Sequence, residues 1–143
     1  LPLLDQVNTA CGCRFNGCLL NLYRHGEDRM GWHADDEAEI DQRQPIASLS
    51  LGSSRDFQLR HRHQRQHRHT LELTSGDLLM MHPGCQRDWL HAVPQRKRIK
   101  TQESTSPFAV FNHAENISQI QERSTNKDQS GRFNLKNFSP MNQ

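Results

Sequence analysis

Thr70-Leu71-Glu72-Leu73-Thr74-Ser75-Gly76-Asp77-Leu78-Leu79-Met80-Met81 carries the strand signals on which the fold reading turns. Apolar and polar residues alternate over Thr70 to Leu73, the period of a half-buried strand. Ser75-Gly76-Asp77 marks a turn, and Leu78 to Met81 is a short unbroken apolar run, suited to a fully buried strand. Working outward, Pro83-Gly84 marks a second turn before Trp89 to Val93, and Phe57, Leu59 and His61 alternate with Gln58 and Arg60. Ile46 to Leu51 is an apolar run opened by Pro45 and closed by Gly52, and Cys18 to Tyr23 is another. Many short strands divided by turn residues predict an all-β core of the jelly-roll type rather than a parallel α/β sheet.

The chain has 143 residues, enough for one domain with a core. Hydrophobic residues make up only 33% and mean hydropathy is -0.91, low for a compact fold. The polarity is uneven: residues 101 to 143 hold twenty Ser, Thr, Asn or Gln among forty-three. With no sustained period there, the expectation is a globular core over 1–100 and a polar, flexible tail or insertion over 101–143. No apolar run approaches the ~20 residues needed to cross a bilayer and no secretory leader is visible, so a soluble, intracellular monomer is expected. Leu1 stands where Met would begin a complete chain, which suggests a fragment. Cys11-Gly12-Cys13 is too tightly spaced for the usual zinc pattern, and the four cysteines are read as core or surface thiols.

His33-Ala34-Asp35, preceded by Trp32 and answered by His91 in Trp89-Leu90-His91, is the chemical centre of the sequence. Two imidazoles and one carboxylate form the facial set that holds Fe(II) and leaves positions open for a cosubstrate and oxygen. On a strand, His33 and Asp35 would share one face and His91 would come from a distant strand folded beside them. The plain alternative is two hydrogen-bonded histidines and a turn aspartate in the acidic run Asp35-Asp36-Glu37-Ala38-Glu39. His-x-Asp alone does not separate the two.

The surrounding blocks do. Asn21-Leu22-Tyr23, Gly31-Trp32-His33-Ala34-Asp35-Asp36-Glu37, Pro45-Ile46-Ala47-Ser48-Leu49-Ser50-Leu51-Gly52, Arg55-Asp56-Phe57, Gly76-Asp77-Leu78-Leu79-Met80-Met81 and Trp89-Leu90-His91 resemble, in order, the AlkB family of Fe(II)- and 2-oxoglutarate-dependent dioxygenases. Their spacing is similar to the DNA-repair branch that includes human homologue two. The likeness covers about residues 11 to 100. It implies a double-stranded β-helix, incomplete at its N-terminus. It also implies Fe(II) held by His33, Asp35 and His91, with 2-oxoglutarate and O2 as cosubstrates, and dealkylation of nucleic acid bases with release of formaldehyde, succinate and CO2.

For 2-oxoglutarate the resemblance implies hydrogen bonds from Asn21 and Tyr23, which period-two spacing sends to one face. Without it, a turn cap and a core tyrosine would serve as well. The family closes its fold with Arg-x-Asn-x-Thr-x-Arg, whose guanidinium forks pair with carboxylates. The nearest match is Arg132-Phe133-Asn134-Leu135-Lys136-Asn137-Phe138, with Arg132 and Asn134 in place, Lys136 for Thr and Phe138 for the second Arg. Either Thr101 to Ser130 is an insertion before a degenerate last strand at 131–138, or the chain departs from the family near Lys100 and the match is coincidence.

Net charge is only +2, but Arg55 to His69 sets five arginines against Asp56, a local +4, with His61, His63, His67 and His69 among them. Such a loop suits phosphate contacts, and Arg55, Arg60 and Arg62 are read as substrate contacts to nucleic acid, alkylated DNA above all. A solvated hairpin or an adventitious metal tract is the alternative. Arg96, Lys97, Arg98 and Lys100 form a second basic run. Asp36 and Glu37 match family positions that line the lesion pocket, and would otherwise be a solvated acidic turn.

Overall fold

The computed structural model describes residues 2–96, 105–114 and 133–140. Helix α1 (Pro2–Cys11) leads into β1 (Gly17–Tyr23), β2 (Met30–His33), β3 (Ile46–Ser50), β4 (Arg55–His61), β5 (Arg68–Leu73) and β6 (Asp77–Met81). A four-residue helix, α2 (Cys85–Asp88), precedes β7 (Trp89–Val93), β8 (Ser106–Asn112) and β9 (Asn134–Phe138). Two sheets form, one in the order β1-β8-β3-β6-β9 and one in the order β2-β7-β4-β5. From β1 to β8 the chain changes sheet at every connection except the β4–β5 hairpin, which is the double-stranded β-helix form of the jelly roll. No helix among the described residues is long and apolar enough to cross a membrane.

Residues 70–81 are therefore a corner rather than a hairpin. β5 ends in the four-stranded sheet and β6 begins in the five-stranded one. Gly76, at φ 89°, makes the bend, and the Asp77 carboxylate caps it by accepting the Thr74 N–H at 2.9 Å.

Burial explains why some strands alternate and others do not. Tyr23, Phe57, Leu59, Leu73, Leu79, Trp89 and Phe108 fill the space between the sheets. A second cluster lies on the outer face of the five-stranded sheet, where Val7 and Phe15 pack on Ala47, Leu49, Leu78, Ala109 and Phe111. β3 and β6 are thus covered on both faces, and every one of their residues is buried. A strand without a wet face has no reason to alternate.

The expected boundary at residue 100 is corrected. β8 lies between β1 and β3, with Cys18 opposite Phe111 on one side and Ala47 opposite Phe111 on the other. Phe108, Ala109 and Phe111 are 3%, 3% and 1% exposed, so this segment is core and not a polar tail. Four apolar residues, Phe108 to Phe111, were diluted by the polar residues around them. A strand also forms inside 131–138, but β9 adds in parallel to the far edge beside β6.

Candidate metal centre

β2 and β7 are neighbours, and their register sets His33 directly opposite His91. The two rings lie 4.2 Å apart, centroid to centroid. Asp35 stands between their outer nitrogens, with Oδ1 3.6 Å from His33 Nε2 and Oδ2 3.4 Å from His91 Nε2. All three donor atoms fall within 4.8 Å of one another, a group that could hold one metal ion. The strand expectation holds for His33 and fails for Asp35. β2 stops at His33, and the carboxylate reaches the imidazoles from the following loop.

Each imidazole is fixed from behind. His33 Nδ1 lies 2.8 Å from the Gly31 carbonyl. A carbonyl only accepts, so Nδ1 is the donor of this contact and Nε2 is the nitrogen left to face the centre. His91, 5% exposed, stacks on Phe57 at 5.2 Å with the rings 17° from parallel. Burial would raise the Asp35 carboxyl. Hydrogen bonding to His91 and the adjacent imidazoles outweigh it and hold the group below its ordinary value, as a charged ligand requires.

A cavity of about 20 Å³ opens on His33, Asp35 and His91, with room for about one water. Asn21 and Tyr23 line it from β1 in the opposite sheet, together with Ser48 and Met81. The strand beside β1 is β8, which contributes Phe108 and Val110. Neither was anticipated; the run Phe108 to Phe111 between Pro107 and Asn112 was the available strand signal. No arginine or lysine lines the cavity among the described residues.

The carboxylate clamp read at 132–138 is corrected where it can be followed. Arg132 lies outside the described residues. Asn134 is exposed on β9, where its amide donates to Asp77 Oδ1 at 2.8 Å, away from the cavity. Lys136 pairs with the same aspartate at 2.8 Å. The described residues of this end, 133–140, tie the β5–β6 corner, and none of them lines the triad cavity.

Arg55 is corrected as well. It is fully buried, and its guanidinium donates to the carbonyls of His25, Asp28 and Pro94 while lying 5.0 Å over the Tyr23 ring. No phosphate can reach it; it cross-links the barrel under Tyr23. Arg60 stacks on Trp32 at 4.2 Å. Arg62 donates to Asp36 at 2.8 Å and to the Gln86 carbonyl at 2.9 Å. Glu37 is exposed, and neither it nor Asp36 lines the triad cavity. At the turn end of the β4–β5 hairpin a cavity of about 550 Å³ is lined by His61, His67, Arg68, His69, Asp88 and Trp89 among others.

A family profile described as the 2OG-Fe(II) oxygenase superfamily matches residues 1–136. The DNA oxidative demethylase ALKBH2 of Mus musculus is 42% identical over 102 residues, which cover 66% of this chain and 43% of that protein. The alpha-ketoglutarate-dependent dioxygenase alkB homolog 3 of Bos taurus is 37% identical over 103 residues, covering 66% of this chain and 36% of that protein. The chain thus spans less than half the length of these curated relatives. The solved structure of OsALKBH1 superposes with a TM-score of 0.55 at 22% identity, over 70% of this chain and 48% of the other, a likeness of fold.

Proposed function

This chain belongs to the 2OG-Fe(II) oxygenase superfamily, and from that premise we propose that it carries out Fe(II)- and 2-oxoglutarate-dependent oxidative dealkylation of alkylated bases in DNA. The observation that carries the reading is the convergence of His33, Asp35 and His91 from two adjacent strands and a loop within 4.8 Å. Two imidazoles and a carboxylate fit Fe(II) by donor type, and would hold it while leaving positions open. The choice of DNA leans on the name of the ALKBH2 relative, a DNA oxidative demethylase.

His33, Asp35 and His91 would hold Fe(II), which with 2-oxoglutarate and O2 would supply the chemistry to hydroxylate an N-methyl carbon, so that the methyl would be released as formaldehyde and 2-oxoglutarate converted to succinate and CO2. The chain's own residues contribute position. Gly31 holds the tautomer of His33, and Phe57 packs the ring of His91. Asn21 and Tyr23 offer hydrogen bonds to the cosubstrate from the facing sheet. Arg60 at the end of β4, stacked on Trp32, Arg62 in the hairpin turn, paired with Asp36, and Glu37 beside it are the residues offered to nucleic acid.

For 2-oxoglutarate the fit is partial. A dicarboxylate is best held by a cation, and the cavity offers none among the described residues. This favours a second reading: a metal-competent, nucleic-acid-binding domain with feeble turnover. An RNA or protein demethylase of the same superfamily remains the third. The test is 2-oxoglutarate binding to the Mn(II)-loaded protein without oxygen, followed by formaldehyde release from methylated single-stranded DNA and methylated RNA. Micromolar binding with release from DNA supports the main reading. Absence of both refutes it, and release from RNA alone moves the substrate.

A further inference from the structure

Among the described residues Asp35 has no sheet partner. β2 ends two residues earlier, and the segment from 34 to 37 lies outside any ladder. A ligand on such a segment has nothing in the ladder to fix its main chain, yet the Asp35 oxygens stand at closely matched distances from two nitrogens. What replaces the ladder is a pair of glutamines. The Asp35 N–H donates to Gln86 Oε1 at 2.9 Å, and the Asp35 carbonyl accepts from Gln42 Nε2 at 3.0 Å.

Gln86 is the stronger anchor. It belongs to α2, five residues before the ligand His91 in sequence, and is 5% exposed. Its Nε2 points to Met81 Sδ at 3.6 Å, so the amide is held at both ends and its Oε1 is left to face Asp35. The Gln86 carbonyl accepts from Arg62, and Arg62 also pairs with Asp36, the residue after the ligand. Side chain and main chain of one residue therefore pin two successive positions of the ligand loop to the helix that leads into the strand of the second histidine.

We propose that Gln86, with Gln42 on the opposite side, is a positioning residue of the metal centre, holding the main chain of Asp35 so that its carboxylate meets both imidazoles. It touches no metal ligand atom and acts only through the peptide groups flanking Asp35. Outer partners that orient ligands typically affect metal affinity by about 10- to 100-fold when removed, and Gln86 falls in this class. The inference rests on the metal-site reading above.

The test is Co(II) affinity by competition with a chromophoric chelator, the visible spectrum of the Co(II) protein, and thermal unfolding without metal. Gln86→Met keeps the volume and removes the acceptor. It is expected to weaken Co(II) binding by about tenfold or more and to alter the Co(II) band. Gln86→Glu keeps an acceptor at the same reach and is expected to restore both. Gln42→Met, at an exposed side chain outside the core, is expected to weaken binding less, and decides the matter if Gln86→Met does not fold. Folded variants that both bind Co(II) as wild type does overturn the proposal. Asp35→Ala separates the two failures: if it too leaves binding intact, the metal site itself is misassigned.

Discussion

Replacing Phe111 with alanine tests whether the chain beyond residue 100 is core. Phe111 is 1% exposed, sits in β8 between β1 and β3 of the five-stranded sheet opposite Cys18 and Ala47, and packs on Phe15 with ring centroids 6.5 Å apart. Its neighbours belong to α1, β3 and β6, elements that cannot collapse together without distorting the sheet. Removing a buried phenyl ring from such a place costs about 3–5 kcal/mol, the lost transfer of the ring plus the cavity left behind. Against a total stability of about 5–15 kcal/mol, that is a large share. With a urea slope of about 2 kcal/mol per molar, a loss of about 4 kcal/mol lowers the midpoint by about 2 M. Urea titration followed by far-UV circular dichroism and by fluorescence of Trp32 and Trp89 measures it, and coincident curves justify the two-state treatment. Leu135→Ser is the control, because Leu135 is 38% exposed on the edge strand β9 and its change is expected to stay within about 0.5 kcal/mol. If Phe111→Ala shifts the midpoint no more than Leu135→Ser, β8 is not part of the core and the reasoning fails.

Arg55→Gln should destabilise by about 3–5 kcal/mol, since three backbone carbonyls lose the donor of a fully buried guanidinium, while any folded fraction is expected to bind DNA as the parent does; weaker DNA binding at unchanged stability would contradict the burial of Arg55. Burial would raise the Asp77 carboxyl, but Lys136, Thr74 and Asn134 hold it below its ordinary 3.8. A depressed carboxyl contributes stability that is present above the unfolded value and lost as pH falls through the folded one. Asp77→Asn should therefore flatten the acid limb of a stability–pH curve from about pH 5 downward, and an unchanged limb would count against the pairing. Burial pushes the Cys85 thiol up to about 12, with Asp88 adding to it, so in the native protein Cys85 should resist Ellman's reagent; prompt labelling of all four thiols would refute this. Arg65→Ala, at an exposed hairpin position, should lower the salt slope of DNA binding by about 0.9 if that guanidinium meets a phosphate.

The His33-x-Asp35 and His91 constellation was legible in the sequence because ligand chemistry restricts residue type and spacing. The strands from Cys18 to Val93 were legible too, because alternation and buried runs are local consequences of which faces meet water. Asn21 and Tyr23 followed from the same period, and both do line the cavity opposite the triad. Other features depended on what lies far away along the chain. Asp35 left the strand and is held by Gln86 and Gln42, a hydrogen-bonded pair with no periodic trace. Arg55 looked like a phosphate contact and became a buried cross-link, because two carbonyls of the β1–β2 loop and one from beyond β7 converge on it only after folding. β8 was hidden by composition, since averaging over a polar stretch erases a seven-residue strand whose burial is conferred by β1 and β3 on either side. By itself, then, the sequence determined the ligand types and the strand-rich architecture, which rest on short-range pattern. Which residues surround the ligands was decided by the tertiary structure, because burial and hydrogen-bond partnership belong to pairs of segments and not to either one.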